Sequence, residues 1–258
     1  MITLLTDFGT HDAYVGIMKG VIASICPAVQ IIDLTHEISP QDLYAARFNL
    51  LNAVPYFPQD TIHVVVVDPG VGTTRRGIAV DTGHGVLVGP DNGVMSGVWQ
   101  RFAVRRAVAL TNCEYWRGAN PSTTFHGRDV FAPAAGHLAR EVSLERLGPR
   151  VAVESLQHLT LPLTVRENQT ITGVIQHIDR FGNGITNVPA DVVEGKPWQV
   201  TIRGVTVPRC STYGDRVQGQ PLALIGSHGW VEIAVNQGDA MQQLGLEVGD
   251  PVICAAEN

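Results

Sequence analysis

No run of basic residues interrupts this chain, and its 18 Lys and Arg are outnumbered by 24 Asp and Glu, for a formal net charge of −6. A nucleic-acid surface works by neutralising phosphates with clustered cations, so that class of partner is not expected. Charged residues are also scarce: 16% of 258, against 45% apolar, which excludes a disordered chain and provides for a sizeable core. The four cysteines, Cys26, Cys113, Cys210 and Cys254, lie far apart. They have neither the short spacing of a zinc knuckle or redox motif nor the density of a disulfide framework. No apolar stretch approaches the ~18 residues that would span a bilayer, so no membrane partner is expected. A charge at Asp7 interrupts the start of the chain, so no signal peptide is expected and the expected compartment is the cytoplasm. Without a His-x-x-x-His or Cys-x-x-Cys pair, a zinc site would have to gather ligands from distant loops, and no metal is expected. Internal repeats and low-complexity stretches are absent as well.

What the chain does have is alternation. Residues 2–5 form a short apolar strand running into Thr6-Asp7-Phe8-Gly9, and residues 13–25 have helical spacing up to Pro27. A second strand over 29–34 and a second helix over 40–54 follow. The run 61–67 is continuously apolar and rich in β-branched residues, as in a strand buried on both faces. Strands over 77–82 and 85–88 flank a Gly-His turn, and helical patterns cover 93–100 and 130–140. This order predicts an α/β domain with a largely parallel central sheet over residues 1–155. The texture then changes. Short β-rich stretches at 172–178, 199–202, 222–225, 231–235 and 251–254, separated by Gly, Pro and Asn turns, predict a smaller all-β, barrel-like domain over 165–258. The boundary is expected within 151–164, near Pro162.

Ligands of open parallel sheets bind beyond the carboxyl ends of the strands. Asp7 and Asp68 both stand where an apolar strand runs out, so they are expected to face one crevice, although each alone reads equally well as a turn or capping aspartate. In Asp68-Pro69-Gly70-Val71-Gly72-Thr73-Thr74-Arg75-Arg76, the glycines permit a tight turn and Arg75 can fold back onto Asp68. The stretch is not a Walker loop, and it lacks the third glycine of a dinucleotide fingerprint. Phe125-His126-Gly127-Arg128-Asp129 places an imidazole before a predicted helix; a histidine there could equally bond a neighbouring carbonyl. Asp179-Arg180-Phe181-Gly182-Asn183 and Ser227-His228-Gly229-Trp230 are polar-aromatic turns, either ordinary turn chemistry or the wall of a nucleobase pocket. Read from the residues alone, this is an α/β protein with a candidate carboxylate-arginine-histidine site.

Seven of these stretches, in order along nearly the whole chain, resemble the S-adenosyl-L-methionine hydroxide adenosyltransferase family, a relative of the fluorinating and chlorinating enzymes that use the same substrate. They are Thr6 to Gly9; Ile25-Cys26-Pro27 with Ile31 to His36; Val67 to Gly72; Gly89-Pro90-Asp91-Asn92-Gly93; Thr124 to Asp129; Ile178 to Asn183; and Gly229 to Asn236. The resemblance implies hydrolysis of S-adenosyl-L-methionine at the ribose 5′ carbon, with water as nucleophile and adenosine and methionine as products. It implies no cofactor, and a homotrimer whose sites lie between the N-terminal domain of one subunit and the C-terminal domain of the next. The family's Asp-Arg-His set falls on Asp68, Arg75 and His126. Its substrate-binding positions fall on Asp7 for the ribose hydroxyls, Phe125, Asp179 for the methionine ammonium, Phe181 and Tyr213 against adenine, Asn183 at the adenine edge, Ser227 for the methionine carboxylate, Glu232, and the backbone of Val235. The halogenating relatives carry tyrosine where this chain has Asp68, which favours water over halide. His228 stands where the fluorinating ones have arginine. The competing expectations are a halide adenosyltransferase, a non-catalytic adenosine-binding trimer and a metal-dependent hydrolase.

Overall fold

The computed structural model describes residues 1–168, 170–193, 195 and 197–256. By contacts the chain divides into two units, Met1–Leu159 and Thr160–Asn258. In the first, the order is β1 (Ile2–Thr6), α1 (Tyr14–Ile25), β2 (Ile31–Thr35), α2 (Leu43–Ala53), β3 (Ile62–Val66), β4 (Gly77–Asp81), β5 (Val86–Pro90), α3 (Ser96–Arg101), β6 (Arg106–Ala109) and α4 (Ala132–Ala139). The strands lie in one sheet in the order β2-β1-β3-β5-β4-β6. β2, β1, β3 and β5 are mutually parallel, and β4 runs antiparallel to both its neighbours. The sheet is therefore mixed and mostly parallel.

The β-branched runs behave as strands covered on both faces. Ile62, Val64 and Val66 pack with Met18 and Ile22 of α1 and Ala132 and Ala135 of α4. The alternate residues Val65 and Val67 pack with Ala46 and Leu50 of α2 and Val98 of α3. Local signals set the helix ends. Asp42 Oδ1 accepts the Ala45 N–H at 2.9 Å and caps α2, which begins at Leu43 rather than at 40 as the pattern over 40–54 suggests. Pro27 follows the last turn of α1 and cannot continue it. β6 has no strong sequence signal, and it exists because β4 offers it a partner edge.

The chain leaves α1 on one face and α2 on the other, so β1 stands between β2 and β3 at the point where the winding reverses. A crevice opens there, beyond the carboxyl ends of the strands. Thr6 pairs with Val66 across β1 and β3, which brings Asp7 and Asp68 to the same edge.

The second unit contains β7 (Val165–Glu167), β8 (Thr170–Ile178), β9 (Gly184–Pro189), β10 (Trp198–Ile202), β11 (Val205–Pro208), β12 (Pro221–Ile225), β13 (Trp230–Val235), α5 (Ala240–Leu244) and β14 (Pro251–Ala256). Their path is β11-β10-β14-β8-β9-β13-β12, antiparallel throughout, with β7 added on β8. A parallel bridge between Arg209 and Ala223 joins the two ends of that path, giving a nearly closed barrel. Alternate residues Trp198, Val200 and Ile202 point into its core with Ile233 and Val252. β9 and β11 lie outside the β-rich stretches read from the sequence, and pairing with stronger neighbours creates them. Among the described residues no helix is long and apolar enough to cross a membrane.

Candidate active site

A cleft of about 410 Å³ opens at the reversal point of the first sheet, lined among others by Asp7, Phe8, Tyr14, Asp68, Phe125 and His126. The loop after β3 places Asp68. Gly72 holds that loop with φ of +78°, and a Cβ there would sit 2.4 Å from the Thr123 carbonyl oxygen, so no other residue fits. Arg75 returns as a fork: its Nε donates to Asp68 Oδ1 at 2.9 Å and its Nη2 donates to Oδ2. Both side chains are nearly buried, 6% exposed for Asp68 and 10% for Arg75. Removing one partner of so enclosed a pair typically costs about 3–5 kcal/mol, because the other charge stays behind unpaired. The guanidinium also lies 5.3 Å from the Phe131 ring centroid.

Arg75 Nη2 also lies 2.8 Å from His126 Nδ1. Arginine has no acceptor, so Nδ1 must accept and the ring proton must sit on Nε2. His126 is thus a neutral imidazole with a directed N–H. Burial, and then the positive charge of Arg75, hold its pKa below the ordinary imidazole value of 6.5. The backbone aims the ring in an unusual way. Gly127–Phe131 is a π-turn rather than the start of an α-helix, with the Ala132 N–H reaching back to Gly127 O. Such one-residue bulges recur at functional sites. Asp129 anchors the turn, accepting from Ser122 N at 2.8 Å and from Arg128 Nε at 2.6 Å.

Asp7 Oδ2 accepts the Gln41 N–H at 2.8 Å, across a backbone with φ of +68° at Gln41. Beside it Phe8, Tyr14 and Phe125 form a mutually packed trio with centroids 5.2–5.8 Å apart. Of these three, Phe125 is the one expected at the substrate; Phe8 lies in the Thr6-to-Gly9 motif without a role, and nothing in the spacing marks Tyr14. His36, part of a quoted motif but given no role, lies behind: its Nδ1 is 2.9 Å from Thr6 Oγ1, next to Asp7.

The remaining candidates lie in the second unit. Asp179 closes the turn between β8 and β9, its Oδ1 accepting from Phe181 N and Asn183 N, both at 2.9 Å, while Asn183 Nδ2 donates to Oδ2 at 3.0 Å. Glu232, 4% exposed, accepts from Tyr213 Oη at 2.7 Å and lies 3.1 Å from His228 Nε2. Burial, then the bond to Glu232, raise the Tyr213 pKa. His228 Nδ1 accepts from Trp230 N at 3.2 Å, which leaves the ring proton on Nε2 and aims it at Glu232. Both its ring nitrogens thus face this chain's own groups. Ser227 is exposed in the turn between β12 and β13. The Val235 side chain belongs to the barrel core, so only its backbone can serve a ligand. Among the described residues no group of three His, Cys, Asp or Glu side chains is arranged to hold a metal ion.

Comparison with known proteins gives a consistent result. Residues 2–148 match the N-terminal domain model, and residues 173–253 the C-terminal domain model, of the S-adenosyl-L-methionine hydroxide adenosyltransferases. The (R)-S-adenosyl-L-methionine hydrolase of Thermus thermophilus is 43% identical, with 96% of each chain covered. That of Salinispora tropica is 40% identical over 96% of this chain and 95% of its own. A fluorinase from Actinopolyspora mzabensis is more distant, 25% identical over 96% and 95%. Among solved structures, an uncharacterized conserved protein from Thermotoga maritima superposes with a TM-score of 0.92 at 39% identity, over 99% of this chain and all of that one.

Proposed function

Because the chain belongs to the S-adenosyl-L-methionine hydroxide adenosyltransferase family, we propose that it is an S-adenosyl-L-methionine hydrolase in which Asp68, Arg75 and His126 manage the attacking water. The observation that carries this reading is the linked set itself: a carboxylate locked by a bidentate guanidinium that also fixes a neutral imidazole, at the wall of one cleft. The substrate brings its own leaving group. As the water oxygen bonds to C5′, the C5′–S bond breaks, its electron pair goes to sulfur, and methionine departs as a neutral thioether. No general acid is required. One proton must leave the water, and Asp68 takes it and passes it to solvent. The fork occupies one lone pair of each Asp68 oxygen and leaves others able to accept from water. Placing a nucleophile this way is worth at best on the order of 7–11 kcal/mol, and base assistance roughly 10²–10⁴-fold.

Asp7, whose Oδ1 remains available, is suited to the ribose hydroxyls. Asn183 serves the adenine edge, Phe181 and Tyr213 the adenine faces, Asp179 the ammonium and Ser227 the carboxylate, with Glu232 and the Val235 backbone in the final loop. Phe181 is 75% and Tyr213 43% exposed within the chain. Aromatic surface of that kind supports completion of the site by another copy, in a homotrimer. The relatives' names point to the R epimer at sulfur as substrate.

The test is incubation with (R)-S-adenosyl-L-methionine in chloride and in halide-free buffer, with products separated by chromatography. Adenosine and methionine are expected in both. Chloride-dependent 5′-chloro-5′-deoxyadenosine would replace this reading with a halide transferase. Intact substrate, with adenosine retained by the protein, would replace it with a binding protein.

A further inference from the structure

Asp68 and Arg75 must meet to within tenths of an ångström, yet the strands that carry them are not neighbours. Asp68 follows β3 and Arg75 precedes β4, and β5 lies between those strands in the sheet. The two stems of the loop are therefore two strand spacings apart, roughly 10 Å. No ladder bond joins them directly. The link is made by the two residues that follow β5. Asn92 Nδ2 donates to Val67 O at 2.9 Å, next to Asp68, while Asn92 Oδ1 accepts from Val94 N at 3.1 Å. On the other side Arg76, next to Arg75, donates to Asp91 Oδ2 through Nε at 2.9 Å and Nη2 at 2.5 Å. The Asp91 N–H donates to Arg76 O at 2.9 Å. The Asp91 side chain is 1% exposed, and its other oxygen accepts from Gln157 N at 2.9 Å.

We propose that Asp91 and Asn92 are positioning residues: consecutive on one turn, they clamp both stems of the catalytic loop and so set the register in which the Arg75 fork meets Asp68 and His126. Neither residue touches the cleft. Their effect on turnover passes through Asp68 and Arg75, and a misplacement of about 1 Å at such a site costs on the order of 10²-fold. The proposal rests on the hydrolase reading for its kinetic consequence, but its geometric consequence is independent of that reading.

The decisive variant is Asn92→Asp, which keeps volume and the bond from Val94 while replacing the donor to Val67 with an acceptor. Steady-state kinetics with S-adenosyl-L-methionine and the NMR titration of the His126 ring are measured on the wild type and the variant. A kcat reduced at least tenfold with KM within about twofold is expected. The His126 titration should move up towards the ordinary imidazole value of 6.5 as Arg75 leaves Nδ1. An unchanged His126 titration with kcat within twofold of wild type overturns the proposal. So does a kcat loss without any change at His126, which would mark a general structural defect. If the wild type forms no adenosine, the hydrolase reading fails, and the His126 titration alone still decides the clamp. Should Asn92→Asp not fold, Asp91→Asn is read by the same criteria; if neither folds, the pair is structural and the proposal is wrong.

Discussion

The two units prepare their candidate residues to different degrees. In the first, Arg75 already touches both Asp68 and His126, the Asp68–Arg75 pair is largely withdrawn from water, and the set needs no ligand to take up its arrangement. In the second, Asp179 and Glu232 are similarly tied down, and Glu232 holds the Tyr213 hydroxyl, but of the aromatic faces expected to meet the substrate Tyr213 is partly open and Phe181 stands out from the surface. The contrast suggests a division of labour, with a rigid reaction centre in the α/β unit and a recognition surface on the barrel. Groups that stabilise a transition state act best when their geometry is fixed beforehand, whereas groups that only bind can be ordered by the ligand.

The largest expected effect tests the first half of that division. Asp68→Asn keeps the shape of the side chain but removes its charge, and should lower kcat by roughly 10²–10⁴-fold with KM nearly unchanged. Wild-type turnover in this variant would sink the assigned role. Phe181→Ala tests the second half: a lost base-aromatic contact is worth about 1–3 kcal/mol, a KM increase of roughly 5- to 150-fold, with kcat little changed. If kcat fell instead and KM held, the barrel would be part of the reaction centre and the division would be wrong.

Acid should also separate the units. His63 is buried on β3 with Nδ1 2.8 Å from Thr3 Oγ1, and burial lowers its pKa to about 4 from 6.5. Between those values the unfolded chain binds a proton that the folded one refuses, so stability falls as pH drops from 6.5 to about 4 and levels off below. The loss is on the order of 3 kcal/mol at most. Hydrogen exchange followed against pH should show it in the first unit and not in the barrel, and His63→Asn should flatten it. The smallest effect is kinetic. Since neutral His126 is held below 6.5, kcat should stay level through that pH and decline only lower; a decline centred at 6.5 would mean the imidazole is unconstrained.

Much of this was legible in the chain, and what was not has physical causes. The run 61–67 announced a doubly covered strand because alternate residues face two different helix layers. β9 was hidden because Thr186 and Asn187 look like loop residues. Asn187 can be buried because its Oδ1 accepts from Val174 N and its amide donates to Pro162 O, and Thr186 because its hydroxyl accepts from Val188 N and its carbonyl from Gln176 Nε2. The same limit applies at the site. Asp7 and Asp68 could be placed at strand ends by pattern, and Arg75 and His126 stood out as candidates beside them, while the resemblance gave the set its roles. Tyr14, which completes the aromatic trio, depends on how α1 enters and gives no local signal. His228, which the resemblance sets where the fluorinating relatives have arginine, is turned onto Glu232, an arrangement that no local sequence signal announces. Asp91 and Asn92 were visible as a motif, but their reach across two strands exists only in the folded sheet.

The π-turn at Gly127–Phe131 has a consequence for how this site can change over generations. Each residue of a helix turns the chain by ~100°, so one residue more or less between His126 and α4 swings the imidazole away from Arg75. Most point substitutions leave the chain length and so the bearing intact, those at Gly127 and at the anchoring Asp129 excepted, while a single-codon deletion in 127–131 would erase it in one step. Chain length matters here as well as side-chain identity, and a shortened turn is a simple route by which a descendant could keep the fold and lose the chemistry.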